Sequence, residues 1–424
     1  MHRTEKLNFE PALTNIERKL LLWRMRILTL IGKCTVVKAH ALSQIQFLAS
    51  SISTPKWVIE RLNSIIPHFI WNGRSRITRE KASRQWTDGG ITIPLMQDLV
   101  HAAALKTLLR AYAFEDPPTW AKNIKFEMEK KGGLALLNPQ CDLKSKLMAD
   151  IPTFLQEVIV PWQRIQKELN PKWCKTLGPF SPINCNKLLP FPKWKQTLKD
   201  TLLPQLAKAK VVYTGQFFEK DGTQIRGTKA VSKGLPPKAY LEWCKVFLNL
   251  HKQKISCPSE IGYKDNSYFP TQPRLKTEEG WLEASDIAQG KILRLIAKRK
   301  EYVPNGTQVK VNSSLNIEEL EWKAAWKHMK GRLDSNRLKQ SHFFLLSGIT
   351  FANKAYARMG RKTSSKCTFC DVAQQDFKHT YVECATINNF RQDIAKKWPG
   401  EQMSIKRWFL GSGISNEPME QAKE

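Results

Sequence analysis

Four residues near the C-terminus have the types and the spacing of a metal site. Cys367, Cys370, His379 and Cys384 follow the pattern C-x2-C-x8-H-x4-C. Two cysteines separated by two residues bind one ion from a tight turn, and the histidine and last cysteine reach it from a helical turn. Three sulfur donors and one imidazole favour tetrahedral Zn²⁺, and four protein ligands leave no position for a substrate. We therefore predict a structural zinc ion that stabilises a short C-terminal segment.

Two alternatives to this site are open on the sequence alone. The four residues could be free thiols beside a surface histidine, or His342 could bind in place of His379. The remaining six cysteines have no motif spacing and are predicted to be free or buried thiols in a reducing compartment. They are Cys34, Cys141, Cys174, Cys185, Cys244 and Cys257.

The segment immediately before the cluster, residues 322–366, is strongly basic. It contains eleven Lys and Arg residues against one acidic residue, Asp334. Such a segment neutralises phosphates and releases counterions, which predicts salt-sensitive binding to RNA or DNA. The predicted nucleic-acid-binding residues are Lys323, Lys327, Lys330, Arg332, Arg337, Lys339, Lys354, Arg358, Arg361, Lys362 and Lys366.

Aromatic residues are interleaved with these cations. They could stack on unpaired bases, or they could be core residues behind a solvated basic face. They are Trp322, Trp326, Phe343, Phe344, Phe351 and Tyr356.

The whole chain has 424 residues and a formal net charge of +30. Because like charges repel one another, an excess of this size predicts a polyanionic partner. Hydrophobic residues make up 42% of the chain, which is enough for buried cores and excludes disorder over the whole length. The chain has no long apolar run and a charged N-terminus, so we expect neither membrane insertion nor secretion. The predicted location is cytoplasmic and/or nuclear.

Apolar periodicity predicts a mainly α protein in three parts. Residues 1–114 should form a helical domain. Residues 115–285 contain 16 of the 23 prolines, which predicts an irregular connecting region, with a candidate β-hairpin turning at Asp221-Gly222. Residues 286–424 should form a basic helical domain that includes the zinc module at 367–384.

Two helices of the first part carry explicit boundary signals. Thr14 and Glu17 have the spacing of a capping box, which predicts a helix from there to about Gly32. Its apolar stripe is predicted to include Ile27. A later helix is predicted to begin after Thr54-Pro55 and to kink or end at Pro67.

Several runs resemble the region that follows the polymerase core in LINE-type, non-LTR retrotransposon reverse transcriptases. Residues 20–48, LLLWRMRILTLIGKCTVVKAHALSQIQFL, resemble that family's "W…LSL.GR..liK" stretch, although His40-Ala41-Leu42 stands where a proline-containing turn is common. Residues 69–73, FIWNG, look like its "FiW.g", and residues 89–94, GGITIP, look like its "GGl.lP". Trp326, Arg332 and the Cys367 to Cys384 cluster resemble its C-terminal zinc module.

This resemblance implies a thumb-adjacent helical domain followed by a variable middle and a zinc-stabilised end. It implies binding to template RNA or target DNA, together with a reverse transcriptase chain or ribonucleoprotein. Reverse transcription requires paired carboxylates on a palm sheet, and no Asp-Asp pair occurs in the chain. By family order the palm would precede residue 1, so we expect a nucleic-acid-binding fragment rather than an enzyme.

Two other function classes are weighed against this interpretation. A domesticated or decayed fragment could serve as a protein-interaction adaptor whose zinc module docks another protein. A nuclease is disfavoured, because the sequence contains no carboxylate cluster or open metal site.

Overall fold

The fold is mainly α, as the sequence predicts, in a computed structural model. The structure describes residues 2–73, 75–130, 132–141, 151–169, 181–183, 186–188, 213–214, 237–238, 240–241, 244–245, 273–277, 280–283, 287–297, 315, 317–331, 335–349, 353–360, 362–397 and 405–410. The described helices are α1 (His2–Arg24), α2 (Leu30–Val36), α3 (Ser43–Ala49), α4 (Lys56–Trp71), α5 (Arg79–Ser83), α6 (Met96–Ala113), α7 (Thr119–Glu129), α8 (Thr153–Leu169), α9 (Gln289–Ala297), α10 (Glu319–Gly331), α11 (Asn336–Leu346), α12 (Asn353–Arg358), α13 (Ala385–Lys397) and α14 (Ile405–Leu410).

Short irregular turns connect or extend some of these helices. A π-helical turn, Val37–Leu42, joins α2 to α3, and a second, His379–Glu383, precedes α13. Among the described residues, 3₁₀ turns span Trp86–Asp88 and Gly133–Leu137.

One antiparallel hairpin is present among the described residues. Strands β1 (Arg274–Thr277) and β2 (Gly280–Glu283) pair in a register that places Leu275 opposite Leu282. The hairpin predicted around Asp221-Gly222 lies outside the described residues.

The predicted start and end of the first helix are wrong. α1 begins twelve residues before Thr14, because its buried stripe already includes Phe9 and continues through Leu13 and Ile16. It ends at Arg24, and α2 begins separately with the Thr29 hydroxyl accepting a hydrogen bond from an amide of its first turn.

Ile27 is not a core residue, contrary to the sequence prediction. It lies in the connection between α1 and α2 and is fully exposed. The apolar spacing predicts a buried position for Ile27 only if the helix continues past Arg24, which it does not.

Pro67 does not end its helix either. α4 runs on to Trp71, although an interior proline removes one helical hydrogen bond and costs about 3 kcal/mol. Leu62 and Phe69, on either side of the proline, are buried. Burial of apolar residues along α4 offsets the local cost.

The chain divides into two compact units that are each assembled from separate stretches. The first unit contains Met1–Phe9, Gln44–Ile59 and Met96–Arg299. The second contains Glu10–Ser43, Glu60–Leu95 and Lys300–Glu424. The predicted parts 1–114, 115–285 and 286–424 are continuous stretches, whereas each unit combines several stretches. The three parts stay a prediction about how the sequence is organised.

The core of the first unit is centred on α6, which packs against α7, α8 and α9. Leu105 and Leu108 of α6, Trp162 of α8 and Ile292 of α9 belong to one buried cluster. Helices with several partners are apolar around most of their circumference, and α6 accordingly buries residues on nearly every side.

The core of the second unit is aromatic. Trp322 and Trp326 of α10 are buried, as is Phe343 of α11. The Trp326 ring centroid lies 5.7 Å from that of Phe343, and the Trp322 centroid lies 5.9 Å from that of Phe409 in α14. These contacts hold the helices of the basic segment together.

The double glycine of the GGITIP run packs under this aromatic core. Gly89 has a φ of 72°, and a Cβ there would lie 2.8 Å from Cε2 of Trp326. A Cβ on Gly90 would lie 2.1 Å from the carbonyl oxygen of Arg84. Both positions therefore exclude any side chain.

Candidate metal centre and basic segment

The first two candidate ligands lie on a tight knuckle. Lys366 pairs with Gln374 as an antiparallel bridge, and the Cys367 amide donates to the carbonyl of Ala373 at 2.8 Å. The Asp371 amide donates back to the Cys367 carbonyl at 2.9 Å. Asp371 adopts a left-handed φ of 53°, which aspartate tolerates better than most residues. This turn places the Cys367 and Cys370 side chains on the same side.

The other two candidate ligands lie at the ends of a π-helical turn. The His379 amide donates to the Asp376 carboxylate at 2.9 Å, which fixes the start of the turn. The Cys384 amide donates to the His379 carbonyl at 2.7 Å, and the Cys384 carbonyl accepts from Asn388 in α13. Cys384 therefore ends the turn and begins the next helix.

The four candidate ligand atoms lie close to one another. Sγ of Cys367 lies 3.9 Å from Sγ of Cys384, and Sγ of Cys370 lies 3.3 Å from Nε2 of His379. All four atoms lie within 4.8 Å of one another. The sulfur separation is too long for a disulfide, which needs about 2.05 Å. Ligands of a tetrahedral zinc ion lie about 3.5 to 3.8 Å apart, so this group could hold a metal ion of that kind.

The two knuckle thiols differ in their pKa values. Amides of Ala373 and Val372 donate to the Cys370 sulfur and, with His379, lower the pKa of Cys370 to about 6. Burial instead raises the pKa of Cys367. Metal ligation requires the thiolate form, so the knuckle presents one thiol that is already biased toward ligation.

A buried arginine stands beside the last ligand. Arg391 of α13 is 5% exposed, and its Nη1 donates to the Tyr381 carbonyl at 3.2 Å. Nη2 is buried and has no hydrogen-bond partner in the part of the chain that the structure describes. Burial lowers the pKa of Arg391, and the charge of Cys384 opposes that shift. The guanidinium therefore lies within electrostatic reach of the Cys384 sulfur.

His342 does not belong to the metal group. It lies in α11, and its Nε2 is buried with no hydrogen-bond partner among the described residues. The side chain instead forms hydrogen bonds with the backbone of Phe409 and Leu410. The alternative in which His342 replaces His379 is wrong. Three cysteines outside the group, Cys34, Cys141 and Cys244, form no disulfide with any described residue, as predicted. Cys174, Cys185 and Cys257 lie outside the described residues.

The basic segment presents most of its charges to solvent. Nine of the eleven predicted basic residues are described, of which eight are exposed and Lys339 is half-buried. Arg332 and Arg361 lie outside the described residues. The exposed cations are Lys323, Lys327, Lys330, Arg337, Lys354, Arg358, Lys362 and Lys366.

Few of these cations have an acidic partner. Lys323 pairs with Glu319 at 2.7 Å, and Lys354 pairs with Asp376 at 3.5 Å. Within the part of the chain that the structure describes, the others have no carboxylate at ion-pair distance. They are Lys327, Lys330, Arg337, Lys339, Arg358, Lys362 and Lys366.

The last part of the segment is tied to the knuckle by Asn353. This buried side chain accepts a hydrogen bond from Nζ of Lys362 at 2.7 Å and donates to the Lys366 carbonyl at 2.7 Å and the Thr368 hydroxyl at 2.9 Å. An open cavity of about 600 Å³ lies beside these residues and reaches Cys367. The metal knuckle and the cations at 362 and 366 therefore form one surface.

The aromatic residues of the segment are mainly core. Trp322, Trp326 and Phe343 are buried, so the hypothesis that these three stack on bases is wrong. Phe344 and Tyr356 are half-buried. Phe351 lies outside the described residues.

Sequence reasoning did not identify Arg391. Its signal is the seven-residue spacing from Cys384, which directly precedes α13, so that Arg391 lies about two turns into the helix on the side where Cys384 enters it. A metal-binding motif includes only the residues that bind the ion. It therefore does not identify a charged residue such as Arg391, which lies beside a ligand.

No protein-family model and no curated protein matches this chain. The resemblance to LINE-type reverse transcriptases therefore stays a prediction. Among the described residues, no helix is both long enough and apolar enough to cross a membrane.

Proposed function

We propose that this chain is a nucleic-acid-binding module, in which Lys and Arg of residues 322–366 contact phosphates. The observation that carries this proposal is the exposure of eight cations that lead directly into the Cys/His group. Cations without acidic partners are available to neutralise phosphates and to release counterions. The module acts by binding and carries out no catalytic step of its own.

Zn²⁺ is the proposed metal of the Cys367, Cys370, His379 and Cys384 group. The sulfur-rich donor set and the ligand separations fit a tetrahedral ion. When bound, the ion cross-links the knuckle to the start of α13. Because Asn353 ties the same knuckle to Lys362 and Lys366, the metal would hold these cations in fixed positions.

We further propose that the chain corresponds to the post-catalytic region of a LINE-type reverse transcriptase. Its partners would be RNA and/or DNA and a polymerase chain or ribonucleoprotein. The steric requirement for glycine at Gly89 and Gly90 supports this proposal, since it gives a physical reason for the GG pair in the family-like run.

Charge-neutralising variants test nucleic-acid binding. Replacing Lys327 and Lys330 together by Gln removes two exposed charges from α10. The control is the pair Arg164→Gln and Lys167→Gln, which removes two exposed charges from α8. For a labelled single-stranded polyuridylate, we expect the α10 pair to bind roughly 25-fold more weakly at about 0.1 M salt, or about fivefold per phosphate contact. Equal affinities for the two pairs would overturn the proposal.

A protein-interaction adaptor is the second candidate. The knuckle exposes two apolar side chains, Phe369 at 51% and Val372 at 82%, and such residues are typical of a docking surface when they are grouped. Replacing both by Ser should abolish capture of a protein partner and leave RNA affinity unchanged if the adaptor function is correct. If the variant binds RNA more weakly instead, the knuckle belongs to the nucleic-acid surface.

A further inference from the structure

The FIWNG loop holds a lysine in place. α4 ends at Trp71, and the next two residues, Asn72 and Gly73, have positive φ angles of 54° and 143°. Nζ of Lys33 donates to the carbonyl of Ile70 at 3.2 Å and to Oδ1 of Asn72 at 2.8 Å. The turn therefore fixes an ammonium group at the end of α4.

Two arginines share this location. Burial lowers the pKa of Lys33, and the charges of Arg24 and Arg76 lower it further. Among the described residues, Cys34 opposes them, but burial raises the pKa of that thiol to about 12, so it is uncharged at neutral pH. We call Arg24, Lys33 and Arg76 the loop cation cluster.

Like charges placed close together destabilise a fold unless an anion offsets them. Among the residues that the structure describes, no carboxylate is one of the groups whose charge acts on Lys33. Lys33 is nevertheless held by two hydrogen bonds instead of extending into solvent. The loop cation cluster thus has the electrostatic character of an anion site.

An open cavity adjoins this cluster. It has a volume of about 710 Å³, and its lining includes His68, Ser75, Thr78 and Arg79. Nη1 of Arg24 lies 3.1 Å from Nε2 of His68. Since arginine can only donate, Nε2 is the acceptor in this contact, which joins the Arg24 guanidinium to the wall of the cavity. Arg79 adds a further cation to the lining.

We propose that the loop cation cluster and this cavity bind the phosphodiester backbone of a nucleic-acid strand. This inference rests on the proposed function and adds a second contact surface to it. Both surfaces lie in the second unit. Arg76 lies 6.0 Å from the ring centroid of Phe344, and Phe344 belongs to α11 of the basic segment, so the two surfaces are neighbours.

A nucleic-acid strand fits better than an acidic peptide because of this adjacency. Phosphates recur along a strand at short, regular intervals, so one ligand can contact both the loop cation cluster and the cations of residues 322–366. An acidic peptide with the same reach is an outcome that the experiment below distinguishes.

The test uses the full chain and the exposed members of the cluster. Arg24→Gln with Arg76→Gln removes two charges, and Arg164→Gln with Lys167→Gln is the matched control in the first unit. For labelled polyuridylate, we expect the cluster pair to bind roughly 25-fold more weakly than wild type at about 0.1 M salt. The negative slope of log K against log salt should become less steep by about 1.4, because two phosphate contacts are lost. The control pair should change affinity less than twofold.

Further variants and a competition assay distinguish the possible negative results. A variant with Arg24→Lys and Arg76→Lys should recover most of the affinity, because the charge is retained. If the Lys327/Lys330 pair weakens binding and the cluster pair matches the control, the inference is overturned and the proposed function stands. If neither pair weakens binding, both are overturned. If polyglutamate displaces the RNA as effectively as unlabelled polyuridylate, the phosphodiester assignment is overturned.

Discussion

At the scale of single residues, the candidate metal group combines possible ligands from two kinds of local structure. Spacing alone identifies Cys367, Cys370, His379 and Cys384, because a knuckle and a helical turn each bring two ligands within reach of one ion. The left-handed conformation of Asp371 and the buried Arg391 do not follow from spacing. Both depend on how the chain packs around the group.

The metal ligands can be tested one at a time. We expect purified protein to contain about one zinc per chain, and Cys370→Ser to contain well under one. Structural zinc contributes on the order of 10 kcal/mol of apparent binding free energy, so the variant should also melt at a lower temperature. Cys244→Ser is the control, because that thiol lies outside the group. Unchanged metal content and melting in Cys370→Ser would exclude the site.

Arg391 should act on the metal through its charge. Three thiolates, one imidazole and Zn²⁺ have a net charge of −1, and Arg391 is a buried cation next to Cys384. Arg391→Met should weaken metal affinity roughly 10- to 100-fold, as is typical of residues around the ligands. Chelator competition measures the affinity, and Lys396→Met, an exposed change on the same helix, should have no effect. Equal affinities for the two variants would mean that Arg391 serves only packing.

At the scale of elements, the GG turn and α10 depend on one another. Gly89→Ala would bring a Cβ within 2.8 Å of the Trp326 ring, and Gly90→Ala would clash with the Arg84 carbonyl. We expect each to lower the free energy of unfolding by about 2 kcal/mol or more. Urea denaturation measures the change. Gly290→Ala in α9 meets no atom within 4 Å and should be neutral or stabilising by up to ~1 kcal/mol.

The α11 histidine predicts a pH dependence of stability. Burial, and then the charge of His328, lower the pKa of His342 from 6.5 to about 4. The unfolded chain therefore takes up a proton below about pH 6.5, whereas the folded chain does so only near pH 4. Stability should fall as the pH drops through this window, by on the order of 3 kcal/mol from this group.

Two variants isolate that contribution, because acid also weakens metal binding. His342→Gln should show a shallower loss of stability between pH 6.5 and 4 than wild type, measured by denaturant unfolding. Leu338→Gln, at an exposed position of the same helix, changes no titratable group and should keep the wild-type slope. Parallel slopes for wild type and His342→Gln would contradict the buried neutral histidine.

Helix content was more predictable than helix ends. α6 lies within the predicted helical domain of residues 1–114 and has a long apolar pattern. α1 does not match, because Thr14 and Glu17 imitate a capping box within a helix whose buried face begins earlier. Local signals of this kind cannot show whether a preceding turn also finds a packing partner.

At the scale of the whole molecule, the charge of +30 is presented on more than one surface. The sequence identified residues 322–366 because their cations are close together along the chain. It could not identify the loop cation cluster, whose three members come from residues 24, 33 and 76 and meet through tertiary contacts. The same limit applies to the two discontinuous units, which depend on pairings between distant segments.

The aromatic residues of the basic segment show that composition does not distinguish base-stacking residues from core residues. Trp322 and Trp326 alternate with lysines, and that pattern suits either base stacking or a core beneath a charged face. Their burial assigns them to the core, so binding by this segment should depend on charge more than on base identity. Polyuridylate and polyadenylate should therefore bind within a few-fold of each other in filter-binding assays. A large preference for one of them would point to stacking by other aromatic residues.

The salt dependence of RNA binding tests the central claim most directly. If cations of the second unit bind phosphates, the logarithm of the association constant for single-stranded RNA should fall linearly with the logarithm of salt concentration. The expected slope is about −0.7 for each phosphate contacted, which gives a total of about −3 to −5 for several contacts. A slope near zero, or no measurable binding at low salt, would contradict nucleic-acid binding by this chain.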